Sequence, residues 1–229
     1  MSINDMLGIA SAIAFLLPPI IILYSRYINL SLLALIAYFL LVASYNLMGK
    51  NLIAVPIEVK RPIGVMANYL DVPLMLVSMY MFCAERWKRN IVTTSLLLFF
   101  IYEVVIFIQY GLQPVSSKYI MGPGIVIVLL FSLYFFIVHI KNTIVQGKGA
   151  GKTFMTASIL FAYGCYLLVY IFAYIIKTSE KADVFIIYYL ASIIFSLLMS
   201  AGLIWIKKRV KQIEEVQTTR RELTMFFKN

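Results

Sequence analysis

The chain has 229 residues, of which 62% are hydrophobic and only 13% are charged, and its formal net charge is +10. This composition is too apolar for an ordinary soluble domain. The basic residues are scattered along the chain and form no patch with interleaved aromatic side chains, so the positive charge does not indicate nucleic-acid binding.

Seven apolar runs follow one another, and each is long enough to cross a hydrocarbon core of about 30 Å. They lie near residues 7–25, 30–48, 62–84, 91–111, 121–140, 154–176 and 183–206. The first run has no basic segment before it and contains Pro18 and Pro19, so we interpret it as a retained helix and not a secretory signal. Short connections predict antiparallel neighbours. The sequence therefore predicts an all-α integral membrane protein with a seven-transmembrane-helix domain at 1–206.

The distribution of Lys and Arg between the connections predicts the orientation of the chain. With the N-terminus outside and the C-terminus in the cytoplasm, fourteen of the twenty Lys and Arg residues lie on the cytoplasmic side. We therefore expect a multi-pass protein of the inner (plasma) membrane whose basic loops contact anionic lipid headgroups.

Two connecting segments carry local signals. The outer link at 49–61 alternates between apolar and polar residues, which suggests a small hairpin limited to an edge by Pro56. The segment 207–229 is a basic cytoplasmic tail in which Val210, Ile213 and Val216 fall on helical spacing. We expect a short amphipathic helix there, which either lies on the lipid surface or docks a protein partner.

Two acidic side chains, Asp71 and Glu103, fall deep inside predicted membrane helices. Asp71 lies nine residues after Pro62 and Glu103 twelve residues after Ile91, which places them roughly 13 Å and 18 Å from opposite surfaces, at a similar depth. No basic side chain reaches this depth, and a buried charge is costly, so we expect at least one acid to be protonated at neutral pH. The acids either serve a proton relay or polar ligand site, or act as hydrogen-bonded glue between helices.

The last two predicted helices carry periodic polar side chains. Tyr163, Tyr166 and Tyr170 form one stripe, and Ser192 and Ser196 share one face of the next helix. Together with the two acids they are the candidate lining of a ligand pocket or proton relay. The same spacing also suits tyrosine packing and close helix contact, and this alternative stays open.

No catalytic or metal site is predicted. His139 is the only histidine and lies near a helix end, which favours an interface position. Cys83 and Cys165 have no metal-type spacing, and their sequence context gives no reason to pair them in a disulfide. Without a nucleophile–base pair or a metal cluster, we expect the protein not to be an enzyme.

Four motifs in successive order resemble the microbial rhodopsins, in particular the proteorhodopsins. Residues 72–80 read VPLMLVSMY, close to V-P-L-x-x-V-x-x-Y, and residues 43–48 read ASYNLM, similar to an aromatic-x-x-Met ending. Residues 163–170 read YGCYLLVY where the family has W-x-x-Y-P-x-x-Y. Residues 187–196 read IYYLASIIFS, similar to I-Y-x-L-A-D-x-x-x-K. The resemblance covers nearly the whole chain and implies a rhodopsin-like seven-helix bundle.

The departures from the family pattern concern its chemistry. Ser196 matches the lysine that binds retinal, and Ser192 matches its aspartate counterion. In the same register Ala67 matches the proton acceptor, whereas a shift by four residues would place Asp71 there. A serine hydroxyl cannot form an imine, so the resemblance implies a member of the family without covalent retinal and without any other predicted cofactor.

Three functions remain open at this stage. The first is a retinal-free receptor or modulator that binds a small apolar ligand or a membrane or cytoplasmic protein partner. The second is a passive proton or cation pathway that uses Asp71 and Glu103. The third is a structural or assembly role, for example as a homo-oligomer.

Overall fold

The computed structural model describes residues 3–24, 28–147, 149–176 and 181–226, and these ranges contain helices and no strands. Within them, seven helical segments are long and apolar enough to cross a membrane, which confirms the predicted number of spans. The segments are Ile3–Leu23, Leu30–Gly49, Ile57–Phe82, Arg86–Tyr110, Pro114–Val145, Ala150–Ile176 and Val184–Val210.

The first span consists of two helices, α1 (Ile3–Ala14) and α2 (Leu17–Leu23). The break between them lies directly before Pro18 and Pro19, at the start of α2. Proline lacks a backbone N–H and clashes with the preceding turn, so it is tolerated at a helix start but interrupts a helix interior. The proline pair therefore divides this span without removing it from the bundle.

The next two helices are α3 (Leu30–Gly49) and α4 (Ile57–Ser78), and a 3₁₀ turn at Met79–Phe82 extends α4. Asn29 caps α3 by accepting a hydrogen bond from the Leu32 backbone N–H at 2.9 Å. The hairpin predicted at 49–61 is wrong. A turn with Asn51 at φ 55° follows α3, and α4 begins at Ile57, directly after Pro56. The residues that would form the second strand of the hairpin are therefore helical.

Three further helices follow: α5 (Arg86–Tyr110), α6 (Pro114–Gln146) and α7 (Ala150–Tyr170), which continues as a π-helix at Ile171–Ile176. Pro114 stands in the first turn of α6, where its missing N–H is harmless. Gly147 ends α6 in the left-handed conformation, with φ 62°, which a residue with a Cβ rarely adopts.

The last helix, α8 (Lys181–Phe226), is continuous over 46 residues. It contains the seventh span and extends beyond it, so residues 207–226 of the basic tail continue the same helix. The predicted amphipathic face includes Ile213 and Val216, and the side chains from 213 onward lie outside the described residues.

The helices form a closed ring in which each span packs against its sequence neighbours and α8 returns to α1 and α2. Helix α4 also contacts α6, and it therefore has three neighbouring spans on its sides, α3, α5 and α6. Helix α5 lies at the periphery, against α4 and α6, and carries large exposed side chains such as Leu98 and Ile101. The interior is thus built around α3, α4, α7 and α8, and α5 leaves a groove beside α6.

Helices α7 and α8 approach most closely where two glycines face each other. A Cβ on Gly202 would lie 2.7 Å from the Gly151 carbonyl oxygen, and a Cβ on Gly151 would lie 2.7 Å from the Gly202 carbonyl oxygen. Small residues at such contacts let transmembrane helices pack backbone to backbone. This contact fixes the distance between α7 and α8.

Gly202→Ala is expected to lower the free energy of unfolding by about 1–3 kcal/mol, because the new methyl group must push two backbones apart. Gly164→Ala on α7 is the matched control, since a Cβ there meets nothing within 4 Å. Steric-trap or SDS unfolding of both variants measures the difference. Equal effects at the two positions would contradict the close α7–α8 contact.

Candidate functional site

Asp71 on α4 is the centre of a hydrogen-bonded group inside the bundle. The Tyr163 hydroxyl of α7 donates to Asp71 Oδ2 at 3.1 Å. Tyr38 of α3 lies close to both the Asp71 carboxyl and the Tyr163 hydroxyl. Tyr38 and Tyr163 are almost fully buried. Three helices therefore meet at one carboxyl group.

Glu103 on α5 adds a second acid to this group. Its side chain is only 4% exposed, and its Oε1 has no hydrogen-bond partner among the described residues. Asp71 is an electrostatic neighbour of Glu103, which agrees with the similar depth expected from the helix positions. In the part of the chain that the structure describes, neither acid forms an ion pair. The site thus holds two carboxyl groups and no compensating cation.

A second set of polar contacts connects α7 with α8. The Tyr166 hydroxyl lies 3.1 Å from Ser192 Oγ, and Ser192 Oγ donates to the Tyr188 carbonyl oxygen at 2.8 Å. The Tyr188 hydroxyl donates to Asn46 Oδ1 on α3 at 3.4 Å. Tyr166 and Tyr188 are both electrostatic neighbours of Asp71. These contacts extend the polar interior from Asp71 towards the end of α3.

Ser196 is fully buried, and its Oγ has no hydrogen-bond partner within the described ranges. Aromatic rings fill the space around the preceding residue: Phe195 stacks on Phe39 at 5.1 Å between ring centroids and meets Phe15 edge-on at 6.3 Å. Phe15, Phe39 and Phe195 are all 0% exposed. Position 195, next to Ser196 in the chain, is therefore packed among aromatic rings.

Tyr170, the third tyrosine of the predicted stripe, lies apart from the acids. Its hydroxyl donates to the Lys118 carbonyl oxygen on α6 at 3.0 Å. A Cβ on Gly122 would lie 2.7 Å from this hydroxyl, so the glycine makes room for the ring. Tyr170 thus contributes to the packing of α7 on α6.

A cavity of about 600 Å³ lies between α5 and α6 and opens to the side of the bundle. Its lining includes Leu98, Phe99, Tyr102 and Phe131. None of the seven residues predicted to line a pocket contributes to it. Four of them, Asp71, Tyr163, Tyr166 and Ser192, instead form direct hydrogen bonds in the interior, and Glu103, Ser196 and Tyr170 lie at separate positions around them.

Sequence reasoning missed Tyr38. It stands between Ala37 and Phe39 in an uninterrupted apolar helix, where an aromatic residue gives no polar signal. The predicted acids and tyrosines were found because they are rare in such helices or recur at helical spacing. Among the described residues no group of three or more His, Cys, Asp and Glu side chains can hold a metal ion. Both cysteines are free thiols.

Comparison with known proteins gives no match: no protein-family model, curated protein or solved structure is significantly similar to this chain. The resemblance to microbial rhodopsins therefore depends on the four motifs and the seven apolar helices alone. Membership of that family stays a prediction.

Tyr163→Phe is expected to lower the free energy of unfolding by about 1–3 kcal/mol, because it leaves the part-buried Asp71 carboxyl oxygen without its donor. Tyr24→Phe is the control, since Tyr24 is 81% exposed. Thermal unfolding in detergent compares the variants. A Tyr163→Phe protein as stable as Tyr24→Phe would contradict a structural role of the hydrogen bond to Asp71.

Proposed function

We propose that the protein is a retinal-free, rhodopsin-like receptor or modulator whose switch is the protonation of the Asp71–Glu103 pair. The observation that carries this proposal is the hydrogen bond from Tyr163 to Asp71, with Tyr38 beside it and Glu103 in electrostatic range. A change in the charge of this group acts on α3, α4, α5 and α7 at once. It therefore has the means to shift the packing of the whole bundle.

The chemistry of the pair supports proton binding. A neutral carboxyl group donates one hydrogen bond and accepts others, whereas an ionised one accepts only. Because the two acids interact, they take up and release protons as a coupled pair. Tyrosine hydroxyls both donate and accept, so Tyr38 and Tyr163 can reorient when a proton arrives or leaves. Ionisable groups inside a membrane protein are functional candidates by default.

The absence of a covalent chromophore is supported by two features of the interior. Ser196 presents a hydroxyl, which forms no Schiff base. The rings of Phe15, Phe39 and Phe195 occupy the neighbouring space. A ligand in the predicted interior pocket has less support than a proton, because the seven residues predicted to line that pocket do not line the cavity between α5 and α6.

A set of polar side chains lies on one side of the acids. The ring of Tyr163, which donates to Asp71, meets the ring of Tyr166 at 5.6 Å between centroids, and hydrogen bonds of Tyr166 and Tyr188 continue to Asn46 near the end of α3. There Lys50 Nζ donates to Asp5 Oδ1 at 3.1 Å. In the orientation indicated by the distribution of Lys and Arg, with the N-terminus outside and the C-terminus cytoplasmic, this end faces outward, and the switch senses the outer medium of a plasma membrane.

Towards the other surface the buried face of α4 is apolar apart from Ser78. Met75, Leu76 and Met79 follow Asp71 along α4 and are fully buried. Ser78 lies among them, but its hydroxyl donates to the Met75 carbonyl oxygen of its own helix at 2.7 Å. This layer favours a switch over the passive pathway for protons or cations. A structural role remains as a third reading, in which the outer faces of the bundle mediate assembly.

Asp71→Asn is expected to remove one protonated-carboxyl band from the infrared pH-difference spectrum and to shift the band of Glu103, because the two groups titrate together. Glu103→Gln should remove the band of Glu103 and shift the band of Asp71. The exposed Glu58 of α4 supplies the control, and Glu58→Gln should leave both bands unchanged.

The same titration should change the distance between spin labels at Met66 on α4 and Phe161 on α7, two exposed positions, after replacement of Cys83 and Cys165. The Asp71→Asn variant should lose this change. A pH-difference spectrum that is the same in all three variants would contradict the switch.

Liposomes that contain the protein are expected to hold an imposed pH gradient as well as liposomes of the Asp71→Asn, Glu103→Gln double variant. The physical reason is the apolar layer at Met75, Leu76 and Met79. A fluorescent pH indicator inside the liposomes measures the decay. Faster decay with the unaltered protein than with the double variant would favour the passive pathway instead.

A further inference from the structure

The groove between α5 and α6 has the dimensions of a single hydrocarbon chain. Its lining extends from Trp87 to Tyr102 on α5, which is about 22 Å along the helix axis. Over this length the groove has a volume of about 600 Å³.

The groove is open to the side, where the hydrocarbon of the membrane lies. It exists because α5 packs only along α4 and α6, and its exposed face carries Leu98 and other large apolar side chains. Lys88 is the one charged residue in its lining, and it stands at one end. The shape and the lining therefore suit an acyl chain with an anionic group at the Lys88 end.

A cluster of cations surrounds that end of the groove. Cys83 directly follows the 3₁₀ turn. It lies close enough to interact electrostatically with three cations, Lys88, Arg89 and Lys152. Glu85 pairs with Lys88 at 2.8 Å and is itself half-exposed. Burial raises the pKa of the Cys83 thiol although the three cations oppose this shift, so the thiol does not neutralise them. The described part of the cluster retains an excess of positive charge.

His139 on α6 connects the cation cluster with the groove. It is 7% exposed, and its Nε2 has no hydrogen-bond partner in the ranges that the structure describes. Lys88 and Lys152 are its electrostatic neighbours. Its ring stacks on Phe135, which lines the groove, with 6.4 Å between the ring centroids. A buried polar atom without a partner, beside several cations, indicates a missing anionic or hydrogen-bonding ligand.

We propose that this site binds an anionic phospholipid, with one acyl chain in the α5–α6 groove and the phosphate between Lys88, Arg89, Lys152 and His139. His139 Nε2–H donates to a phosphate oxygen, and the two lysines and the arginine supply charge. A free phosphate would leave the apolar groove unfilled, and a lipid without net negative charge would leave the excess positive charge of the cluster uncompensated. The lipid satisfies both halves of the site.

The position of Trp87 makes the proposal directly measurable. The chain has two tryptophans, and Trp205 stacks on Phe154 away from the groove, so Trp205→Phe leaves Trp87 as the only indole. Brominated lipids quench tryptophan fluorescence on contact. In phosphatidylcholine vesicles, a small fraction of brominated phosphatidylglycerol should quench Trp87 more strongly than the same fraction of brominated phosphatidylcholine.

Removal of one cation should reduce this preference roughly fivefold, since each Lys or Arg near a membrane surface adds attraction for an anionic lipid. Lys152→Gln and Arg89→Gln test the cluster, and Lys152→Arg should restore the preference. Lys141→Gln, on the exposed end of α6, is the matched control and should retain it. Quenching by brominated phosphatidylcholine should stay the same in all four variants. This control reports that each variant is folded.

A second pair of variants tests the groove itself. Ser95 lines the groove, so Ser95→Phe should reduce quenching by both brominated lipids, whereas Ile108→Phe on the exposed other half of α5 should not. Equal quenching by the two lipids in the unaltered groove would overturn the proposal. A second result would also overturn it: Trp87 fluorescence responds to inorganic phosphate in pure phosphatidylcholine vesicles, this response depends on Lys152, and phosphatidylglycerol shows no preference. The ligand would then be free phosphate.

Discussion

A carboxyl group inside a membrane bundle must find its hydrogen-bond partners within the protein, because the surrounding hydrocarbon supplies none. Asp71 accepts a hydrogen bond from Tyr163 on α7, and Tyr38 on α3 lies beside it; both tyrosines are almost fully buried. Glu103 lies near this group, and its Oε1 has no partner among the described residues. Side chains of α3, α4, α5 and α7 therefore meet around one carboxyl group.

The sequence was sufficient for the spans and for most of the polar interior. Lipid demands long apolar helices, so the number of spans is visible as seven runs, with the first broken only locally at Pro18 and Pro19. Asp71 and Glu103 could be recognised because acids in such runs are rare. The four-residue spacing of Ser192 and Ser196 placed both on the buried face of α8, where both are 0% exposed.

The packing of apolar residues could not be predicted in the same way. Lipid tails are as apolar as the protein core, so a helix that is hydrophobic on all sides gives no signal for its inner face. The sequence therefore could not predict the burial of Tyr38 or the ring cluster of Phe15, Phe39 and Phe195. It also could not predict the groove beside the peripheral helix α5. The hairpin at 49–61 failed for another reason: a short alternating pattern beside a proline suits a helix start as well as a strand.

Helix α4 connects the two polar regions of the bundle. Asp71 lies in its middle, and Phe82 at the end of its 3₁₀ extension meets the His139 ring at 5.7 Å between centroids. On α4 the buried residues Met75, Leu76 and Met79 lie between these two regions. If both proposals hold, a movement of α4 itself couples a proton at Asp71 to a lipid at His139. Pro73 stands two residues beyond Asp71 and frees a backbone carbonyl, which gives α4 a defined place to bend.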